Sequence, residues 1–138
     1  MRAVLDPNVL ISALLSPEGA PAWAVRAWIG AAFELIASEL LLAELARALG
    51  YRKLRTRITS EEVRQLIDLI RREASIEPDP PAPPSVTSPD PGDDYLIALA
   101  ESTRAVIVSD DAHLLGLADR IPVYAPAAFV ALLTTQDR

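Results

Sequence analysis

The sequence predicts an α/β fold: a three-layer α/β/α sandwich with a central parallel sheet. Short apolar runs alternate along the chain with longer segments whose apolar residues recur at helical spacing. This alternation is typical of parallel strands joined by helices. Two of the apolar runs, residues 3–5 and 105–108, are followed at once by Asp6 and by the pair Ser109-Asp110. Ligands bind at the carboxyl ends of parallel strands, so a functional site is expected there.

The length and composition indicate one globular domain over residues 1–138. Hydrophobic residues make up 51% of the 138 residues, which is enough for a substantial core. No apolar run reaches the roughly 18 residues of a membrane helix, and the start of the chain does not resemble a signal peptide. Cysteine is absent and there is one histidine, so disulfides, thiolate metal sites and His-rich zinc sites are not expected. These features favour a cytoplasmic protein whose chemistry depends on oxygen ligands.

The individual elements follow from local signals. Strands are predicted at residues 3–5, 33–37, 75–77, 105–108 and 122–124. Helices are predicted at residues 9–14, 22–31, 39–49, 60–73, 93–101, 112–118 and 127–133. Ser38 and Gly50 are the expected start and stop of the third helix. Thr59 and Glu62 have the spacing of a capping box, which predicts the start of the fourth.

Residues 78–91 contain seven of the twelve prolines. Each proline removes a backbone donor and fixes φ, so this segment is predicted to be an extended surface loop. It is interpreted as a connector, with a docking site for a proline-binding partner as the alternative.

The charge is unevenly distributed. The whole chain carries −6, whereas residues 47–72 contain eight basic and three acidic residues. Such a segment is typical of a surface that binds a polyanion, and two solvated helix faces would explain it equally well.

Acidic residues recur at places that the fold could bring together. Asp6 and the pair Asp110-Asp111 follow strands, Glu44 lies beside the buried stripe of a helix, and an acidic group precedes another helix. That group is Asp90, Asp93 and Asp94. Each has a simpler explanation: Glu44 can sit at the polar edge of its stripe, and acids before a helix can cap it.

Several carboxylates in one cleft repel each other unless a cation binds among them. Mg²⁺ and Mn²⁺ prefer oxygen ligands, and one or two such ions can activate water for attack on a phosphodiester. The pattern therefore points to nuclease chemistry.

Four segments, in this order, resemble the PIN-domain ribonucleases, in particular the branch described as toxins of toxin–antitoxin pairs. The segments are residues 4–15, 38–45, 90–100 and 108–115. The resemblance implies an α/β/α sandwich whose four acids bind Mg²⁺ or Mn²⁺ and cut single-stranded RNA. It also implies an antitoxin partner that covers the groove.

The resemblance assigns roles residue by residue. The catalytic and metal-binding acids would be Asp6, Glu44, Asp93 and Asp111. Supporting residues would be Asn8, Asp94, Ser109 and Asp110, the last as the reserve for Asp111. Pro7 stands where the family usually has Thr or Ser. His113 is expected to have a structural role or to orient a ligand, in preference to the alternative that it binds the metal itself.

The leading hypothesis is a metal-dependent endoribonuclease in which a basic run lies along the RNA backbone. That run comprises Arg47, Arg52, Lys53, Arg55 and Arg57. A catalytically silent module that binds metal or RNA is the main alternative. A phosphoryl-transfer enzyme with Asp6 as nucleophile would need a lysine near the phosphate, and the single lysine lies in the basic run. Trp23 and Trp28 would suit either the core or a homodimer interface.

Overall fold

The computed structural model describes residues 1–136 and shows, within them, five strands and eight α-helices. The strands are β1 (Arg2–Leu5), β2 (Glu34–Ala37), β3 (Ser75–Ile76), β4 (Val106–Val108) and β5 (Val123–Tyr124). The helices are α1 (Pro7–Leu15), α2 (Ala20–Ile29), α3 (Glu39–Leu49), α4 (Arg52–Arg55), α5 (Ser60–Glu73), α6 (Asp94–Thr103), α7 (Ala112–Leu115) and α8 (Pro126–Gln136). A 3₁₀ turn at Pro91–Asp93 precedes α6.

The five strands form one parallel sheet in the order β3-β2-β1-β4-β5. The central pair, β1 and β4, aligns Val4 with Ile107 and Leu5 with Val108. The chain moves outward from β1 through β2 to β3, then returns to the other side of β1 for β4 and β5. The direction in which the chain adds strands across the sheet therefore reverses between β1 and β4. A crevice opens at the carboxyl ends of these two strands.

Helices cover both faces of the sheet. With this strand order, the right-handed rule for connections between parallel strands puts α1, α2, α3 and α5 on one face and α6 on the other. On the first face α1 packs against α2 and α3, while α6 packs against β1 and β4. The predicted α/β class with a central parallel sheet is confirmed.

The predicted helix boundaries follow from caps that the structure contains. The Ser38 hydroxyl accepts from the Leu41 N–H at 3.3 Å, and α3 ends at Gly50. The capping box of α5 is present: Thr59 Oγ1 accepts from the Glu62 N–H, and Glu62 accepts from the Thr59 N–H. Helix α4 was not predicted, because Leu54 is the one apolar residue in its four and no periodicity is visible over so short a segment.

The proline-rich segment is a connector without regular secondary structure from residue 77 to residue 90. It is fixed to helices on both sides. The Leu40 N–H at the start of α3 donates to Asp79 Oδ2 at 3.0 Å, and the Ser88 N–H donates to Asp94 Oδ1 at 2.8 Å. The connector is therefore anchored to the beginning of α3 at one end and to the beginning of α6 at the other.

The two tryptophans occupy different environments. Trp28 is buried in the core, whereas Trp23 is 56% exposed and stacks with the guanidinium of Arg26 at 5.0 Å from the ring centroid. Phe33 and Phe129 meet edge to face with centroids 5.0 Å apart, which joins α8 to the segment before β2. Within residues 1–136, no helix has the length and apolar character needed to cross a membrane.

Candidate metal centre

A cavity of about 340 Å³ opens at the carboxyl ends of β1 and β4. The four acids expected from the sequence, Asp6, Glu44, Asp93 and Asp111, all line it, although they come from four separate parts of the chain. The other polar residues of its lining are Asn8, Arg47, Tyr51, Asp90 and Tyr95. Five carboxyl groups and one guanidinium therefore face one small volume.

Asp6 is the most buried of these acids, with 5% of its surface exposed. It caps α1, so its Oδ1 accepts from the Asn8 N–H at 3.0 Å. Its Oδ2 accepts from the Ser109 hydroxyl at 2.7 Å. Burial raises the pKa of Asp6 above its usual value, and the hydrogen bonds from Asn8 and Ser109 partly oppose this effect.

Asp111 is held through the same serine. Its backbone N–H donates to Ser109 Oγ at 3.0 Å, and its Oδ1 accepts from the His113 N–H at 2.7 Å as the cap of α7.

Pro7 occupies the first turn of α1, where its missing N–H costs nothing.

Asp93 lies at the end of the 3₁₀ turn, and its Oδ2 accepts from the Ser88 hydroxyl at 3.4 Å. Burial raises its pKa to about 6, and repulsion from Asp111, Asp90 and Asp6 adds to the effect. Burial and the neighbouring carboxylates thus oppose the charged form of Asp93, and a cation bound among them would relieve that repulsion.

Glu44 differs from the other three acids because it is paired. Arg47 donates to it twice, from Nη2 to Oε2 at 2.7 Å and from Nε to Oε1 at 3.2 Å. This guanidinium lowers the pKa of Glu44. Arg47 also hydrogen-bonds to the Tyr51 hydroxyl, with its guanidinium carbon 5.4 Å from the Tyr51 ring centroid. Glu44 therefore lies in the cavity as half of an ion pair.

The supporting residues expected from the sequence lie in different places relative to the cavity. Ser109 and the backbone of Asn8 bind Asp6 directly. Asp94 points to the connector and accepts from the Ser88 N–H. Asp110 is exposed and does not line the cavity, although its charge contributes to the raised pKa of Asp6.

Of the five basic residues expected to bind RNA, Arg47 alone lines the cavity. Arg52, Lys53 and Arg55 lie on α4 and Arg57 follows it, all four exposed. Among residues 1–136, none of these four forms an ion pair with a carboxylate. By contrast, Arg64 and Arg71 of the same basic segment are paired with Glu61 and Glu39.

Sequence reasoning missed two aromatic residues of the cavity, Tyr51 and Tyr95. Burial raises the pKa of Tyr95, and the charges of Asp6, Glu44 and Asp93 add to this, so its hydroxyl stays protonated. Tyr95 follows the acidic pair Asp93-Asp94 directly, a signal that was available in the sequence.

A second grouping was also not expected. Asp90, Asp93 and His113 each offer one ligand atom, and these atoms lie within 4.8 Å of one another. Asp93 thus belongs both to this group and to the lining of the cavity.

The residues present fit a divalent metal ion. The cavity holds an excess of carboxylates over cations, and carboxylate oxygens are the ligands of Mg²⁺ and Mn²⁺. Four of the five lining carboxylates have no arginine partner in the described part of the chain: Asp6, Asp90, Asp93 and Asp111. Of these, Asp6, Asp93 and Asp111 are the acids expected from the sequence to hold the ion.

In a parallel α/β fold, a cavity at the point where the strand order reverses is a ligand-binding position, and the carboxylates that line this one suit a divalent metal ion. A family model described as PIN domain matches residues 2–113, so the chain belongs to the PIN-domain family. PIN domains are generally nucleases that use divalent metal ions. No curated protein matches the sequence.

Proposed function

We propose that this protein is an Mg²⁺- or Mn²⁺-dependent endoribonuclease that hydrolyses phosphodiester bonds of single-stranded RNA, with residues 1–138 as one nuclease domain. One observation carries the proposal: Asp6, Asp93 and Asp111 line a single cavity in a chain that belongs to the PIN-domain family.

In this proposal Asp6, Asp93 and Asp111 hold the ion. When bound, the ion supplies an activated water and charge stabilisation for the phosphodiester displacement. Ser109 and the Asn8 N–H fix the two oxygens of Asp6 before binding, so little reorganisation is needed. Tyr95 keeps its proton and is a donor at the cavity wall.

Glu44 and Arg47 act together at the edge of the cavity. Glu44 holds the guanidinium of Arg47 with two hydrogen bonds, which leaves further N–H donors for a phosphate oxygen. Arg52, Lys53, Arg55 and Arg57 are exposed and follow Tyr51, a residue of the cavity lining, in the chain. A single strand of RNA could then follow the basic residues while one phosphate enters the acidic cavity.

The test is cleavage of a labelled single-stranded RNA with Mg²⁺ or Mn²⁺ by the wild type and by Asp6→Asn. We expect the variant to lose at least a hundredfold in rate. Asp119→Asn is the matched control, since Asp119 is an exposed carboxyl that does not line the cavity. Equal cleavage by the wild type and Asp6→Asn would reject the site.

A second candidate function is a module that binds metal and RNA without cleaving it. The Glu44–Arg47 pair favours this candidate, because it removes one acid from the set available to metal. Metal-dependent RNA binding with no cleavage after long incubation would establish it.

We also propose that the protein acts in the cytoplasm as the toxin of a toxin–antitoxin pair. An antitoxin would cover the cavity and place a basic side chain among its unpaired acids. Exposed Trp23 provides apolar surface for such a partner or for a homodimer. Co-expression with the product of the neighbouring reading frame tests the pair: a stable complex with suppressed RNA cleavage is expected, and uninhibited cleavage would contradict it.

A further inference from the structure

The single histidine of the chain lies beside the acidic cavity rather than in the core. The side chain of His113 is 55% exposed, and its Nδ1 is 3.6 Å from Asp111 Oδ1. A nitrogen of its ring belongs to the group formed with Asp90 and Asp93, whose ligand atoms lie within 4.8 Å of one another. This spacing allows one ion to contact all three side chains.

Two local structures bring the group together. Asp90 begins the 3₁₀ turn, where its Oδ1 accepts from the Gly92 N–H at 3.0 Å, and Asp93 ends the same turn. His113 lies in the first turn of α7, whose start is fixed by the bond from its own N–H to Asp111. The turn before α6 and the first turn of α7 thus place an imidazole opposite two carboxylates.

We propose that His113 is a direct ligand of a divalent transition-metal ion that it shares with Asp90 and Asp93, and that this nitrogen makes the site prefer Mn²⁺ to Mg²⁺. The inference rests on the proposed function only in that Asp93 also serves the nuclease cavity. Mg²⁺ requires a compact octahedron of oxygens, whereas imidazole is a good ligand for transition metals.

A purely structural role does not account for the position of His113. Its backbone N–H already caps α7 through Asp111, and any residue other than proline would do the same. Its ring is largely in solvent, so it contributes little to the core. The neighbouring carboxylate of Asp111 can orient the ring, as carboxylates commonly do for histidines that bind metal.

The test is electron spin-echo envelope modulation of Mn²⁺ bound to the full chain, carrying no histidine tag. Since the chain has one histidine, modulation from an imidazole ¹⁴N identifies His113 directly. We expect this modulation in the wild type and in the control Asp119→Asn, and its loss in His113→Gln.

Calorimetric titration of the same proteins with Mn²⁺ and with Mg²⁺ measures the preference of the site for Mn²⁺. We expect His113→Gln to weaken Mn²⁺ binding about tenfold and to change Mg²⁺ binding less than about threefold. Bound Mn²⁺ without nitrogen modulation, or equal loss for both ions, would overturn the inference and leave the nuclease proposal standing. No binding of either ion by the wild type would overturn both.

Discussion

The hydroxyl of Ser109 donates to Asp6 Oδ2 at 2.7 Å, and the two residues are 103 positions apart in the chain. Ser109 is fully buried, and the same hydroxyl accepts from the Asp111 N–H at 3.0 Å. One serine thus joins the ends of the central strands β1 and β4 and sets the relative positions of two candidate metal ligands.

Ser109→Ala should lower the free energy of unfolding by about 1–3 kcal/mol, because it leaves the buried Asp6 oxygen without its donor. The measurement is urea unfolding of the metal-free protein. Ser102→Ala is the matched control, since the Ser102 hydroxyl bonds only to the Leu99 carbonyl of its own helix. Equal stability of the two variants would show that Ser109 does not support Asp6.

The pKa of about 6 at Asp93 predicts a pH dependence of stability in the absence of metal. Between the ordinary value of 3.8 and about 6, the folded state binds more protons than the unfolded state. The free energy of unfolding therefore falls as the pH rises through this window. Asp93→Asn removes the effect.

Relative to the wild type, the free energy of unfolding of Asp93→Asn should rise by roughly 1 kcal/mol between pH 4 and pH 7.5. This is less than the full pKa shift implies, because Asp93 is partly exposed. Urea unfolding in EDTA at the two pH values measures this. A difference between variant and wild type that is independent of pH would contradict the raised pKa that burial and the neighbouring carboxylates give Asp93.

Glu44→Gln should separate function from stability. The Glu44–Arg47 pair is exposed, so its loss should change the urea midpoint very little. If Glu44 positions Arg47 for a phosphate, RNA cleavage should fall at least tenfold, mainly through a raised KM. Unchanged kinetics would show that the pair has no part in the reaction.

The four unpaired basic residues should determine the salt dependence of RNA binding. Replacing Arg52, Lys53, Arg55 and Arg57 by glutamine should reduce the slope of log Kobs against log salt by up to roughly 3, at about 0.7 per phosphate contact. Fluorescence anisotropy with single-stranded RNA measures the slope.

The control for that experiment is a variant in which Arg64, Arg71 and Arg72 of α5 are replaced by glutamine. These three arginines form ion pairs with acids. Their replacement should leave the slope nearly unchanged. The same reduction in both variants would mean that net charge, and not the surface around α4, governs binding.

Much of the fold could be predicted because its signals are local. The capping box at Thr59 and Glu62 and the apolar strand at Val106–Val108 are each visible in a few residues. The position of Asp6 followed from strand alternation, since parallel strands end at one edge. The short helix α4 escaped prediction because four residues show no periodicity.

The parts of the site that could not be predicted depend on contacts between distant segments. The bond from the Leu40 N–H to Asp79, which anchors the connector, joins residues 39 positions apart with no pattern between them. The approach of His113 to Asp90 and Asp93 likewise depends on how the start of α7 lies against the turn before α6. The Glu44–Arg47 pair, three residues apart on α3, could have been read from the sequence.

The central claim is that Asp6, Asp93 and Asp111 form one cation site, and a crystal soaked in Mn²⁺ tests it most directly. Diffraction above the manganese absorption edge should give an anomalous peak in the cavity within bonding distance of carboxylate oxygens from these three residues, at about 2.0–2.6 Å. An empty cavity at saturating Mn²⁺, or manganese bound only at other acids, would contradict the account.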